Sequence, residues 1–410
     1  MKIRAFHGLR YNGTADHAGA QAAPPYDQIN DTQRDAMHEA QHHFSHLIRP
    51  VAAQGADAHQ HSRDLHARWL QDGVVRRDSE PSLYANTIES PSGQVRLGLA
   101  ALVDLEDPAN GIIRPHEETV DKTVAERLGL LRTTQVDYEP ILLLANDHGG
   151  LESLLEQDCS GQPLASHVDE FGNTHRLYPV VSEGRIESYR ASLSESYALI
   201  ADGHHRYKTA GLYANETNAK RSTAAAAKLS IITSLKSSAL AIDPIHRALP
   251  VTFEAEALAG VAHERRTVTD QGGSELARAV AEAPQPTLAL LRPDGTAELW
   301  NLDPSHGPTD LPAAASKLAV VLLHRTLFPL AGLVSANATD GTVAYRSDPA
   351  DLATQVLTGE FATGVFLPPM TASGFASAVA DGDVLPPKST RFLPKVVSGL
   401  VWADHSDPVK

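Results

Sequence analysis

The run IADGHHRYKTA, Ile200 to Ala210, constrains this chain more than any other stretch. Tyr197 to Ala201 is apolar and short, which predicts a buried strand. Asp202-Gly203 predicts a sharp turn, and Arg206 to Asn215 predicts a helix. A strand that meets a helix N-terminus turns backbone N–H groups and a positive dipole end outward, a setting that suits an anion. Gly203, His204, His205, Arg206, Thr209 and Lys208 offer donors for phosphate oxygens. Asp202 offers a carboxylate for a metal or a proton. The same residues also suit a plain turn whose polar side chains are only solvated.

At 410 residues the chain is long enough for one large or two medium domains. Hydrophobic residues make up 42% but aromatics only 5%, so aliphatic packing must dominate. The formal net charge of −15 argues against nucleic-acid partners and anionic membrane surfaces. It leaves room for a local cationic pocket that holds a small anion. Cys159 is the only cysteine, so no internal disulfide or thiolate zinc cluster is expected. No signal-peptide core and no membrane-length apolar run is present, so a cytoplasmic protein is expected. Twenty histidines are many. His38, His42 and His46 have helical metal-ligand spacing, but HFSHLIRPV reads as a helix end, so they are expected to be solvated. The same is expected of His59, His61 and His66.

Along the chain, Pro24-Pro25 forces an extended approach to Tyr26-Asp27, and Asn30-Asp31-Thr32 caps a helix over Gln33 to Gln41. SLYANTIES and QVRLGLAALVDL predict a hairpin. A helix is expected from near Glu118, carrying Val120, Val124, Leu128 and Leu131 on one face, with His116, Glu117, Glu118 and Thr119 at its start. EPILLLAND, the hairpin DEFGNTHRLYPV and Lys228 to Leu235 complete the strands of the first half. DPIHRALP, Asp243 to Pro250, reads as a connection into the second half. There EAEALAGVAHERR, SELARAVAEA and SKLAVVLLHRTLF read as helices. PTLALLRPDGTAELWNL is a hairpin turning at Asp294-Gly295, and GTVAYRSD and ATGVFLPPM are strands. The cationic segment Val384 to Leu400 is expected to be ordered and to fold back onto the first half, or else to be an ordinary basic loop. No GxGxxG or P-loop string sits at a strand–helix junction, which argues against a Rossmann or Walker site. The fold class expected is α/β, in the α+β sense of a mixed, mostly antiparallel sheet. Residues 1–240 would form one domain and 241–410 a second, smaller one.

RAFHGLRYN, APPYD, PHEET with ERLGLLR, IADGHHRYKTA, DPIHR and PPKSTRFLPK together resemble, in order, the motifs of domain-of-unknown-function family 1015. The resemblance runs from near Lys2 to the C-terminus. Lys208 stands where the family pattern HHRYET has an acid, and Gln28 replaces the usual aliphatic after APPYD. Locally, DGHHR resembles the signature turn of the ParB and sulfiredoxin superfamily, which includes nucleotide-binding clamps and free serine kinases. That resemblance implies a ParB/sulfiredoxin-like first half whose turn binds nucleotide phosphates.

These readings lead to a phosphotransferase using ATP or ADP with Mg²⁺ on a small hydroxyl metabolite, serine or a related amino acid by resemblance. Asp202, His204, Glu117 and Lys388 are the expected catalytic residues. Gly203, His204, His205, Arg206, Thr209 and Lys395 would hold the phosphates. Asp202 and Glu117 would hold the metal, with Glu117 alternatively acting as base. Tyr26 and Asp27 would lie on the pocket rim; Asp243, His246 and Arg247 would line it or serve as a linker. Two alternatives stand beside this reading. One is a non-catalytic nucleotide-binding sensor. The other is a metal-dependent hydrolase using His116, Glu117, Asp202 and His204.

Overall fold

The structure is a computed structural model, and it describes residues 1–117, 119–253, 258–268, 272–333, 342–380 and 384–409. The chain divides into two compact units. The first holds Met1–Pro115, Thr119–Leu240 and Pro394–Lys410; the second holds His116–Glu118 and Ala241–Leu393.

The first unit is built on a nine-stranded mixed sheet. Its order is Ile113–Arg114, Ala198–Asp202, Ile141–Ala145, Ala227–Ser234, Val95–Asp104, Leu83–Glu89, Thr174–Val180 and Ala165–Val168, with Ile3–Arg4 added beside Val95–Asp104. Two pairings are parallel and the others antiparallel. Alternation sends Leu83, Ala85, Leu99, Val103, Leu143 and Ile200 to one face. There they pack with Leu151, Leu155, Ile186 and Tyr189 of two helices, Leu151–Asp158 and Glu183–Leu193. The register shifts between Ile200, opposite Leu143, and Asp202, opposite Leu142. This bulge at Ala201 moves Asp202 off the face that Ile200 shares with the core. Asp202 therefore stands on the second face, in a row with Leu142, Ile231, Ala100 and Tyr84.

The C-terminal tail belongs to this unit. Ser398 bridges Ala23, Trp402 bridges Leu9, and Ala403–Asp404 pairs with Val136–Asp137. Trp402 is fully buried, 4.9 Å from the ring of Phe44 and 5.5 Å from that of Tyr11. Its indole N–H donates to His66 Nε2 at 3.2 Å.

The second unit carries a six-stranded, all-antiparallel sheet in the order Ala262–Val268, Ala297–Leu302, Thr287–Leu291, Thr363–Phe366, His246–Leu249, Ala344–Arg346. Helices Gly273–Glu282 and Pro349–Leu357 cover it with Leu276, Val280, Leu352 and Val356. A Cβ at Gly273 would lie 1.7 Å from the Pro349 carbonyl oxygen, so only glycine lets these helices approach.

Several elements differ from the sequence expectation. DPIHRALP is more than a connection, because His246–Leu249 is an inner strand. Ala262–Val268 is an edge strand, not the end of a helix; pairing with Ala297–Leu302 outweighs the helix propensity of its Glu and Arg residues, and exposed charges suit an edge. Residues 254–257 of that expected helix lie outside the described residues. The first-unit helix starts at Asp121, since Val120 is still extended; Glu118, where it was expected to start, is not among the described residues. The histidine stretch is less solvated than expected. His66 is buried, and the rings of His38 and His46 stack 4.0 Å apart.

Trp402→Ala removes the largest buried contact of the tail. It should lower the unfolding free energy by about 3–5 kcal/mol, read as a fall in the urea midpoint. An unchanged midpoint would mean that the tail does not stabilise the sheet.

Candidate functional site

The DGHHR turn forms as its sequence predicts. Gly203 has φ +96°, which excludes most side chains, and the helix runs His204–Glu216. A Cβ at Gly203 would also meet Ile141 Cγ2 at 2.5 Å. Asp202 therefore ends its strand beside a helix N-terminus.

Both Asp202 carboxylate oxygens are engaged. Oδ2 accepts from an Arg206 Nη2–H, and Oδ1 accepts from Lys395 Nζ of the returning tail. Burial opposes ionisation of Asp202, but the Lys395 and Arg206 charges outweigh it and hold its carboxyl well below the usual range. Arg206 is only 7% exposed and is spent within the protein, since its Nη1 donates to the Pro140 carbonyl. Lys395 keeps 19% of its side-chain surface in solvent, so it is the cation of this cluster best placed to meet a ligand.

Behind Arg206 lies a second layer of charge that the sequence reading missed. Glu139 Oε1 accepts the Tyr26 N–H at 3.0 Å, and Oε2 lies 3.5 Å from Arg127 Nη1. Lys228 Nζ donates to Asp137 and to the Glu139 carbonyl at 2.7 Å. The Arg127 guanidinium lies 4.1 Å over the Tyr26 ring. Burial raises the Glu139 carboxyl against the pull of Arg206 and Arg127. Burial also opposes the charge on Arg206, but Asp202, Glu139 and Asp27 more than restore it. A cavity of about 50 Å³ is lined by Arg127, Asp137, Glu139, Arg206, Thr209 and Lys228. That is room for a water or two, too small for a nucleotide. The signal for this layer was present: Arg127 and Lys228 interrupt apolar patterns at positions where the pattern calls for a core residue.

His205 and Thr209 tie helices together. His205 Nε2 accepts the Val120 N–H at 2.9 Å, just before helix Asp121–Thr134, and Thr209 Oγ1 lies 3.5 Å from the Val124 carbonyl. Lys208, the departure from the family pattern, bonds Thr119 at 3.0 Å and Asp121 at 3.1 Å. His204 is buried, within electrostatic reach of Asp202.

Glu117 and Lys388 lie in the second unit. Glu117 Oε1 accepts the Lys388 backbone N–H at 2.9 Å, and Lys388 takes φ +57°. His116 Nε2 lies 2.9 Å from Thr390 Oγ1. Arg247 Nη2 donates to the carbonyls of Pro387 and Lys388, each at 3.1 Å, and its Nε donates to His324 Nε2. PHEET, DPIHR and PPKSTR therefore converge on one loop. His246 Nδ1 accepts the Leu367 N–H at 3.1 Å. Asp243 sits on a strand paired with Arg391–Leu393. Among the described residues, no three His, Cys, Asp or Glu side chains are grouped to hold a metal ion. Nor is any helix among them long and apolar enough to cross a membrane.

The family model described as "Protein of unknown function (DUF1015)" matches residues 3–318, and the chain belongs to that family. No curated protein matches it in sequence. Among solved structures, it is similar to a free serine kinase in complex with AMP, at 16% identity and TM-score 0.37, over 76% of this chain and 95% of that one. It is similar to a conserved hypothetical protein from Pyrococcus furiosus at 14% identity and TM-score 0.34, over 73% and 95%. It is also similar to SbnI with a C-terminal truncation from Staphylococcus aureus, at 11% identity and TM-score 0.37, over 73% and 85%.

Asp202→Asn should cost about 3–5 kcal/mol of stability, because it leaves Arg206 and Lys395 without their shared counter-charge; a denaturant titration reads this. Loss below 1 kcal/mol would mean the triad is not a structural tie. Burial depresses both His66 and His405 to about 4, so the folded state keeps them neutral where the unfolded chain binds protons. Their contribution is whole above pH 6.5 and is lost as pH falls from about 6.5 to 4. His66→Gln should flatten that slope in pH-dependent unfolding; an unaltered slope would assign the acid sensitivity elsewhere.

Proposed function

We propose that this protein is a nucleotide-dependent phosphotransferase acting on a small hydroxyl metabolite, with ATP or ADP as donor and Mg²⁺ as the accompanying ion. The observation that carries this reading is the Asp202 cluster. An ionised carboxylate is aimed by a bulge beside a glycine turn and a helix N-terminus, held between a buried arginine and a partly exposed lysine. Phosphoryl transfer needs mainly positioning and charge neutralisation, and this cluster has the parts for both. The helix N-terminus, with Gly203 and His204, would meet the phosphates. Lys395 would turn from Asp202 to the transferred group, freeing Asp202 to hold Mg²⁺. Arg206 would act by fixing Asp202 rather than by touching the ligand, since its amino groups are already engaged. His205 and Thr209 would likewise act through the helix they anchor. The reading rests on the first unit; Glu117, in the second, is engaged by the Lys388 backbone N–H. A hydroxyl amino acid such as serine is the acceptor that the family resemblance favours.

A thermal-shift panel of ATP, ADP, CTP, GTP and pyrophosphate, with and without Mg²⁺, tests the reading, because ligands of the native state raise its apparent stability. ATP or ADP with Mg²⁺ should raise the melting temperature, and wild-type protein should phosphorylate a hydroxyl acceptor. Lys395→Met should reduce kcat by about 10²-fold or more. A shift without turnover would favour a binding module. No shift at millimolar nucleotide would sink the proposal.

A further inference from the structure

The second face of the first-unit sheet carries a charge that the Asp202 cluster does not use. Arg96 is 2% exposed, yet among the described residues neither Nη1 nor Nη2 has a hydrogen-bond partner. Asn86, 3% exposed, has an Oδ1 with no partner among the described residues. The two residues share a face on adjacent strands: Arg96 stands opposite Ile88, and Asn86 stands opposite Gly98. They are diagonal neighbours, a spacing within reach of long side chains. His175 extends the row across Ile88. A buried guanidinium without an anion is costly, and the nearby carboxylates are committed elsewhere. Asp202 is held by Arg206 and Lys395, and Asp169 by His175 and Asn173. Burial draws the Arg96 guanidinium down to about 10, while the Asp202 charge opposes that fall, so this head lies within electrostatic reach of the cluster.

The Asn86 amide has a fixed orientation, because its Nδ2 donates to the Arg176 carbonyl at 3.0 Å. Its oxygen therefore lacks a donor, while Arg96 lacks an acceptor. A phosphate monoester dianion, which carries no donor, would satisfy Arg96 and leave Asn86 bare. A molecule with a carboxylate and an ammonium group satisfies both. We infer that Arg96 and Asn86 form a receptor for the carboxylate and ammonium groups of a small zwitterionic metabolite. The ligand's role as phosphoryl acceptor rests on the function proposed above; its binding does not.

Titration calorimetry on the full chain, without nucleotide, tests this with glycine, L-serine, glycolate, ethanolamine and methyl phosphate. Glycine and L-serine should bind. Glycolate and ethanolamine, which each lack one charge, should bind at least tenfold more weakly, and methyl phosphate should not compete. Arg96→Lys keeps the charge but loses the two-pronged donor, and it should weaken L-serine at least tenfold. Arg96→Met should abolish binding without lowering the melting temperature of the unliganded protein, a result that a purely structural arginine would not give. Failure of both zwitterions to bind, or methyl phosphate binding that Arg96→Lys abolishes, would overturn the inference. So would unchanged L-serine affinity in Arg96→Lys. L-Serine binding without any nucleotide shift would sink the phosphotransferase reading and leave this one standing. A nucleotide shift without zwitterion binding would do the reverse.

Discussion

The carboxylate of Asp202 is the point on which the first unit turns. It joins the end of strand Ala198–Asp202, second from the sheet edge, the first turn of helix His204–Glu216 and the returning tail, through Arg206 and Lys395. An ionised group at that depth is tolerable only because two cations meet it, and those cations are tolerable only because it is there. The sheet bulge at Ala201 makes the meeting possible by moving the carboxylate away from the hydrophobic face. Arg206 then extends the network to Pro140 and, electrostatically, to Glu139 and Asp27. A local turn motif is thus wired into segments more than a hundred residues away.

The family motifs sort into two physical groups. APPYD and DGHHR, with the Lys395 end of PPKSTRFLPK, meet in the first unit around buried charge. PHEET, DPIHR and the Lys388 end meet in the second unit, where Glu117 and Arg247 hold opposite polar groups of one loop's backbone. Arg247 is fully buried, stacks 4.5 Å over Tyr345 and is drawn down to about 10 by burial. Glu117 and Arg247 in these strings thus hold a loop's backbone. A charged side chain in a recurrent motif can be needed because it fixes a loop, with no contact to a ligand.

Polar satisfaction separates scaffold from candidate ligand contact. Arg206, His205 and Lys228 have protein partners for their polar atoms, so removing them unravels structure first. Lys395 is partnered but partly exposed, and Arg96 and Asn86 are buried with polar atoms to spare. A protein that leaves such atoms bare gives up stability at that point, and such deficits concentrate where a ligand completes the set.

The sequence by itself determined the local chemistry. Asp202-Gly203 dictated the turn, and the strand-like runs SLYANTIES and QVRLGLAALVDL dictated the hairpin of Leu83–Glu89 and Val95–Asp104. These follow from short-range sterics and periodicity, which neighbouring residues contain in full. It misjudged Ala262–Val268 and His246–Leu249, because edge and inner strands there are decided by partners far along the chain. Only the tertiary structure decided that Lys395 rather than Arg206 keeps solvent access, that Lys388 belongs with Glu117, and that Glu139, Lys228 and Arg96 are buried. Those outcomes depend on which charges burial brings together, and a linear pattern does not encode the distance between two strands of a sheet.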